Sequence, residues 1–151
     1  MNPRAGFFAA TALAVLALTA CGGGSGGSSG GGGGGDAAGL RQEANRAAAL
    51  LQEVQGLTSI TSAEQFALEA GKLQTELQSL IEDVKATDVP DELMTARDKL
   101  ASRLPELRTS LGSALGAAAS ADLESAINRA TNKTTFDDIQ DAVDQVLAAT
   151  G

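Results

Sequence analysis

The chain has 151 residues, with no His, Trp or Tyr, one Cys and four Phe, and its 19 acidic against 11 basic residues give a formal charge of −8. Without histidine the commonest general base and metal ligand are missing and Ser-His and Cys-His catalysis is excluded, while a single Cys cannot form an intrachain disulfide. The acidic excess repels phosphate backbones and anionic lipid head groups, so nucleic acid and a second, electrostatic membrane contact are not expected.

Met1 to Cys21 reads as a leader. Arg4 supplies a short positive start, and Phe7 to Leu18, FFAATALAVLAL, is an uncharged apolar core of twelve residues. That is a signal-peptide length, short of the roughly 20 residues a helix needs to span a bilayer. Leu18-Thr19-Ala20-Cys21 closes the core with small residues and the only thiol. This stretch resembles the lipobox of bacterial lipoproteins, and the resemblance covers Met1 to Gly22. It implies cleavage between Ala20 and Cys21, a diacylglyceryl group on the Cys21 sulfur and, often, acylation of the new amino terminus. Each buried CH₂ contributes ~0.8 kcal/mol, so one acyl chain holds marginally and two or three hold firmly. The expected location is the extracytoplasmic face of a cell membrane, periplasmic or cell-surface, with the lipid on Cys21 as the membrane contact.

Gly22 to Gly35 is GGGSGGSSGGGGGG, eleven Gly and three Ser. It has no apolar side chain to bury, and glycine loses the most backbone freedom on ordering. A disordered tether is expected, with a root-mean-square span of ~20 Å. A phosphate cradle would need a strand before it, a helix start after it and a placed Lys, and the run has none of these. The expected organisation is a signal peptide over 1–20, lipidated Cys21 and a flexible linker over 21–35, and one helical domain over 36–151.

From Asp36 the pattern is helical. Leu40, Ala44, Ala47, Leu51 and Val54 recur at steps of three and four, tracing one helix face that ends at Gly56. Ser62 and Gln65 form a capping box that opens a second helix, with a stripe of Phe66, Ala70, Leu73, Leu77, Leu80 and Val84. Asp88-Val89-Pro90 breaks this helix near Ala86 and starts the next. The third segment, Asp91 to about Ala118, carries Leu93, Leu100, Leu104, Leu107, Leu111 and Leu115. Pro105 lies inside it and removes one backbone bond, so a helix that continues with a kink near Ala101 to Leu104 is expected. Gly112 and Gly116 would fit a close approach between helices.

A fourth segment from about Ser120 bears Leu123, Ala126, Ile127 and Ala130. Asn132-Lys133-Thr134 interrupts it, and Thr135 can cap a last helix bearing Phe136, Ile139, Val143, Val146 and Leu147. The apolar rhythm persists through Leu115 to Ala118, so one long helix over 90–130 is the alternative to two. No strand pattern competes. The expected fold is all-α, an antiparallel up-down four-helix bundle whose last helix is broken near Asn132 to Thr134.

Asp137, Asp138, Asp141 and Asp144 are the densest acidic group. Phe136, Ile139, Val143 and Leu147 take the buried side of that helix, which leaves the aspartates solvated near a helix start that favours negative charge. A calcium loop would need a turn glycine and alternating oxygen ligands. No metal, cofactor or catalytic group is expected: no Lys has a Ser three residues before it, and Glu82-Asp83 and Asp91-Glu92 sit at helix ends. The chain therefore reads as a non-enzymatic binding or structural module of the cell envelope that acts through protein contacts. Short side chains at Ala47 to Ala49 and Ala117 to Ala119 would suit a partner helix. The alternative is a carrier or sensor holding a small apolar ligand inside the bundle, which would need an enclosed apolar cavity of about 300 Å³ or more.

Overall fold

The computed structural model describes residues 36–151; the leader, the Ala20–Cys21 cleavage and lipidation site and the Gly/Ser run lie outside the described residues. Five α-helices follow one another: α1 Ala37–Gly56, α2 Ala63–Ala86, α3 Asp91–Ala119, α4 Leu123–Ala130 and α5 Lys133–Ala149, with one 3-10 turn at Leu57–Ser59 after α1. α3 packs against α2, α4 and α5, and α1 packs against α2 and α5. α4 and α5 together occupy the fourth position. The fold is the expected all-α bundle, closed into a ring by the α1–α5 seam.

Local chemistry sets the ends. Side-chain oxygens of Asp36, Ser62, Asp122 and Asn132 accept from the amides of Gly39, Gln65, Ser125 and Thr135 at 2.7, 3.5, 3.0 and 3.2 Å, capping α1, α2, α4 and α5. Each such cap contributes about 1 kcal/mol. α3 has no capping side chain and opens instead with Pro90 followed by Asp91 and Glu92, whose charges suit its positive end. At the same end of the bundle the Asp36 amide donates to the Asp88 carbonyl at 2.7 Å, tying the first described residue to the α2–α3 turn.

The interior is apolar throughout, and among the described residues no polar or charged residue is buried. The sequence stripes are largely the core. Leu50, Leu57, Ile81, Val89 and Ala142 join it, while Leu115, Leu123, Ile127 and Leu147 are only half-buried; around Leu115, Ala114, Ala117 and Ala118 are buried in its place. Gly116 is not a close approach either. It is exposed, and a Cβ there would meet nothing within 4 Å, whereas one at Gly112 would meet Gln74 Nε2 at 3.3 Å. The Ala47 and Ala117–Ala118 side chains are consumed inside the bundle, which leaves Ala49 and Ala119 exposed.

One boundary differs from the sequence expectation, and the choice between one helix and two over 90–130 falls to two. Asn132, not Thr135, caps α5, and only Thr131 and Asn132 separate α4 from α5. Asn is the stronger capping residue because its amide oxygen reaches the third amide onward without competing for the helix interior. Residues 90–130 form two helices. Asp122 N donates to Ala117 O at 3.1 Å and Ala121 N to Ala118 O at 2.9 Å, the paired bonds of a Schellman ending. The residue that must turn left-handed is Ala121, at φ 58°. An alanine there carries a steric penalty of ~1 kcal/mol or more that glycine would not. Ala121→Gly should therefore raise stability by about 0.5 to 1 kcal/mol after the greater freedom of glycine in the unfolded chain is counted, a rise in Tm of about 4 °C by circular dichroism. A lower Tm would mean that the turn does not need this conformation.

Candidate functional site

The concave surface of the bundle lies chiefly along the seam between α1 and α2, where side chains facing outward from each helix leave a trough. At the Asp36 end it is a polar hollow of about 570 Å³ lined by Asp36, Gly39, Gln42, Glu43, Asp83, Ala86, Thr87 and Asp88. Midway, Arg46 crosses the seam: its Nη1 donates to Glu43 Oε2 at 2.6 Å on its own helix and to Asp83 Oδ2 at 2.8 Å on α2. The Asp83 hydrogen bond is the largest cause holding the Arg46 pKa above its ordinary value, against the opposing effect of partial burial. The guanidinium stays charged at any physiological pH.

Beyond Arg46 the character changes. A hollow of about 210 Å³ between Arg46, Ala49, Leu50, Glu53 and Glu76 leads to one of about 400 Å³ between Glu53, Gly56, Leu57, Ile60, Gln65, Glu69 and Leu73. Glu53 borders both, so they form one groove. Leu50, Leu57 and Leu73 back it as core residues more than nine-tenths buried, Ile60 is half-buried, and Glu53, Glu69 and Glu76 border it. Among the described residues neither Glu53 nor Glu76 has a side-chain partner, and Glu69 pairs with Lys72 at 3.0 Å. Leu68, beside Glu69 in the chain, is 67% exposed.

The seam between α2 and α3 carries polar side chains. Gln74, Thr75, Gln78 and Arg108 border a hollow of about 260 Å³. Gln78 donates to Glu82, and its Oε1 is buried without a partner.

The aspartates of α5 are distributed rather than gathered. Asp137 pairs with Lys133 at 2.5 Å, Asp138 with Arg103 at 3.4 Å and Asp144 accepts from Gln140 at 3.0 Å, while Asp141 is exposed. Arg103 also holds Glu106 at 2.8 Å, and it fastens α3 to α5 much as Arg46 fastens α1 to α2. Among the described residues, no three carboxylates come together in a way that could hold a metal ion. The Asp122 carboxyl sits below its ordinary range because Ser125 hydrogen-bonds it. A depressed carboxyl of this kind stabilises the fold at neutral pH, and that contribution is lost as pH falls through its folded value.

Cys21 and Ala20, the sequence-derived lipidation and cleavage residues, lie outside the described residues. No described helix is long and apolar enough to cross a membrane. The groove was not anticipated from sequence. Its only signal there was the placing of Glu43 and Glu53 on α1, and of Glu69, Glu76 and Asp83 on α2, just outside the apolar stripes.

No protein-family model, curated protein or solved structure matches the chain.

Proposed function

We propose that the chain is a lipid-anchored extracytoplasmic lipoprotein that acts without catalysis, as a binding or structural module of the cell envelope working through protein contacts. The observation that carries the anchor is the order of features from Arg4 to Gly35: a positive start, a twelve-residue apolar core, Leu18-Thr19-Ala20-Cys21 and a Gly/Ser run. The helical domain supports a binding role by its surface. Its fully buried residues are all apolar among the described residues, and the hollows at its α1–α2 seam are open to solvent rather than enclosed. An open groove along two helices accommodates another polypeptide more readily than it encloses a small ligand.

The test is intact mass and fractionation of the chain made in a bacterial host. The processed chain is expected to begin at Cys21, carry the mass of a diacylglyceryl group and remain with membranes, and Cys21→Ser is expected to lose that mass and leave the membrane fraction. A wild-type chain that keeps Met1, or carries a free thiol, would overturn the anchor. On the binding side, photocrosslinking from Ala49 in the native envelope is expected to capture one predominant polypeptide. Capture of abundant neighbours alone would overturn the binding role.

A further inference from the structure

We propose that the α3–α4 turn is a hinge that opens into continuous helix, and that two copies of the chain then exchange their α4–α5 arms to form a dimer. The proposal concerns the helical domain and does not depend on the membrane anchor.

The turn is strained, and the chain around it is suited to continue as helix. Among the described residues Ala121 is the one non-glycine residue with a positive φ, 58°. At that angle Cβ crowds the following carbonyl, a penalty that glycine escapes and asparagine feels less. Neither stands in Ala117-Ala118-Ala119-Ser120-Ala121-Asp122, and four of these six are alanine, the strongest helix former. Three things keep the turn closed: the Asp122 carboxylate accepting from the Ser125 amide at 3.0 Å, the bonds from the Asp122 and Ala121 amides to the Ala117 and Ala118 carbonyls, and the packing of α4 on α3. Straightening replaces the first two with the i to i−4 bonds of one helix over 91–130, about 60 Å long. The third survives when α4 packs on the α3 of another copy. Short hinges under strain favour such exchange.

The partner is a second copy because it supplies what an opened chain has lost. α4 and α5 bury Ala126, Phe136, Ile139, Val143 and Val146. Polar ties also fasten the arm to the rest of the bundle: Arg103 meets Asp138 at 3.4 Å, Arg129 donates to Ser113 Oγ at 3.1 Å and Arg41 to the Thr150 carbonyl at 3.5 Å. Each tie joins the arm to α1 or α3, so each can form again in the other copy. A chain opened alone would leave the facing sides of α1 and α3 in water. The formal charge of −8 on each copy opposes association at long range, but the surfaces that meet are those each chain already joins within itself. Copies held on one membrane face by the proposed anchor would meet at a raised local concentration.

The test uses the full chain carrying Arg103→Lys, made in light and heavy-isotope forms, mixed in equal amounts in detergent, loosened in urea at millimolar concentration and returned to buffer until equilibrated. A carbodiimide then joins the new amine at position 103 to the Asp138 carboxylate of the arm, and mass spectrometry reads whether each link unites chains of one isotope or of two. Mixed links at 103–138 are expected to rise with concentration towards about half of the total, the share that random pairing of exchanged chains gives. Links from position 103 to Glu106, both on α3, should stay unmixed. Ala121→Gly should lower the dimer constant on the order of 1,000-fold, because two hinges change and glycine both takes φ 58° freely and weakens the continuous helix. Asp122→Ala, which loses the α4 cap and favours continuous helix, should raise it on the order of 100-fold. Asn132→Ala removes a comparable cap, but inside the arm, and should leave it unchanged. Circular dichroism checks that each variant folds. Unmixed 103–138 links in both the parent and Asp122→Ala would overturn the proposal, whether the chains are monomers or lie side by side. An undiminished mixed fraction in Ala121→Gly, or an equal rise from Asn132→Ala, would overturn it as well.

Discussion

Replacing Leu104 by alanine is expected to destabilise the bundle by about 3 kcal/mol, a fall in Tm of more than 10 °C. Leu104 is 1% exposed and sits mid-way along α3, the helix that packs against α2, α4 and α5. The loss combines the transfer energy of the deleted carbons with the void they leave, and a void on the central helix has three neighbouring helices that must move to fill it. Small domains have only about 5 to 15 kcal/mol of net stability, so one such change consumes a large fraction of it. Urea unfolding followed by circular dichroism checks this. A loss below about 1 kcal/mol would mean that the core around α3 collapses freely and is not packed as described. The same change at half-buried Leu115, also on α3, should cost much less.

Pro105→Ala is expected to act in the opposite sense, stabilising the protein by about 1 to 2 kcal/mol. α3 runs unbroken from Asp91 to Ala119 with Pro105 inside it, where the ring removes the amide that would otherwise bond to the Ala101 carbonyl. An interior proline costs a helix about 3 kcal/mol relative to alanine, and the gain is reduced by the unfolded-state freedom that alanine restores. No closed cavity should result, because Pro105 is only half-buried and borders an open hollow with Gln74 and Arg108. Denaturant midpoints of the two proteins decide it. Equal or lower stability for the variant would show that α3 needs the curvature a proline imposes in order to pack.

Helix number, order and most of the core were legible because one physical rule governs them: a period of 3.6 residues places apolar side chains on one face, and short turns force neighbours to be antiparallel. The stops were legible where the chain carries turn chemistry, at Gly56, Ser62 and Pro90. They were not where it lacks it. Nothing in Ala119-Ser120-Ala121-Asp122 announces a left-handed residue, since alanine favours continuing the helix. That ending is settled by the packing of α4 against α3 and by the Asp122 cap, neither of which is a local signal. The exchange of Leu115 for Ala114, Ala117 and Ala118 has the same origin, because a helix hemmed in by close neighbours buries its small residues and turns a bulkier one toward the rim. The groove stayed hidden because it belongs to two helices at once. Periodicity assigns each residue a face on its own helix, and whether facing rims touch or part depends on how the two rods meet.

The bond between the Asp36 amide and the Asp88 carbonyl also has a mechanical meaning. A pull exerted through the preceding chain would arrive at the first turn of α1, a helix held chiefly along its α2 and α5 sides. The Asp36 staple is the contact nearest that end, and the Arg46 crosslink half-way up α1 is the next polar tie between α1 and α2 that such a load would meet.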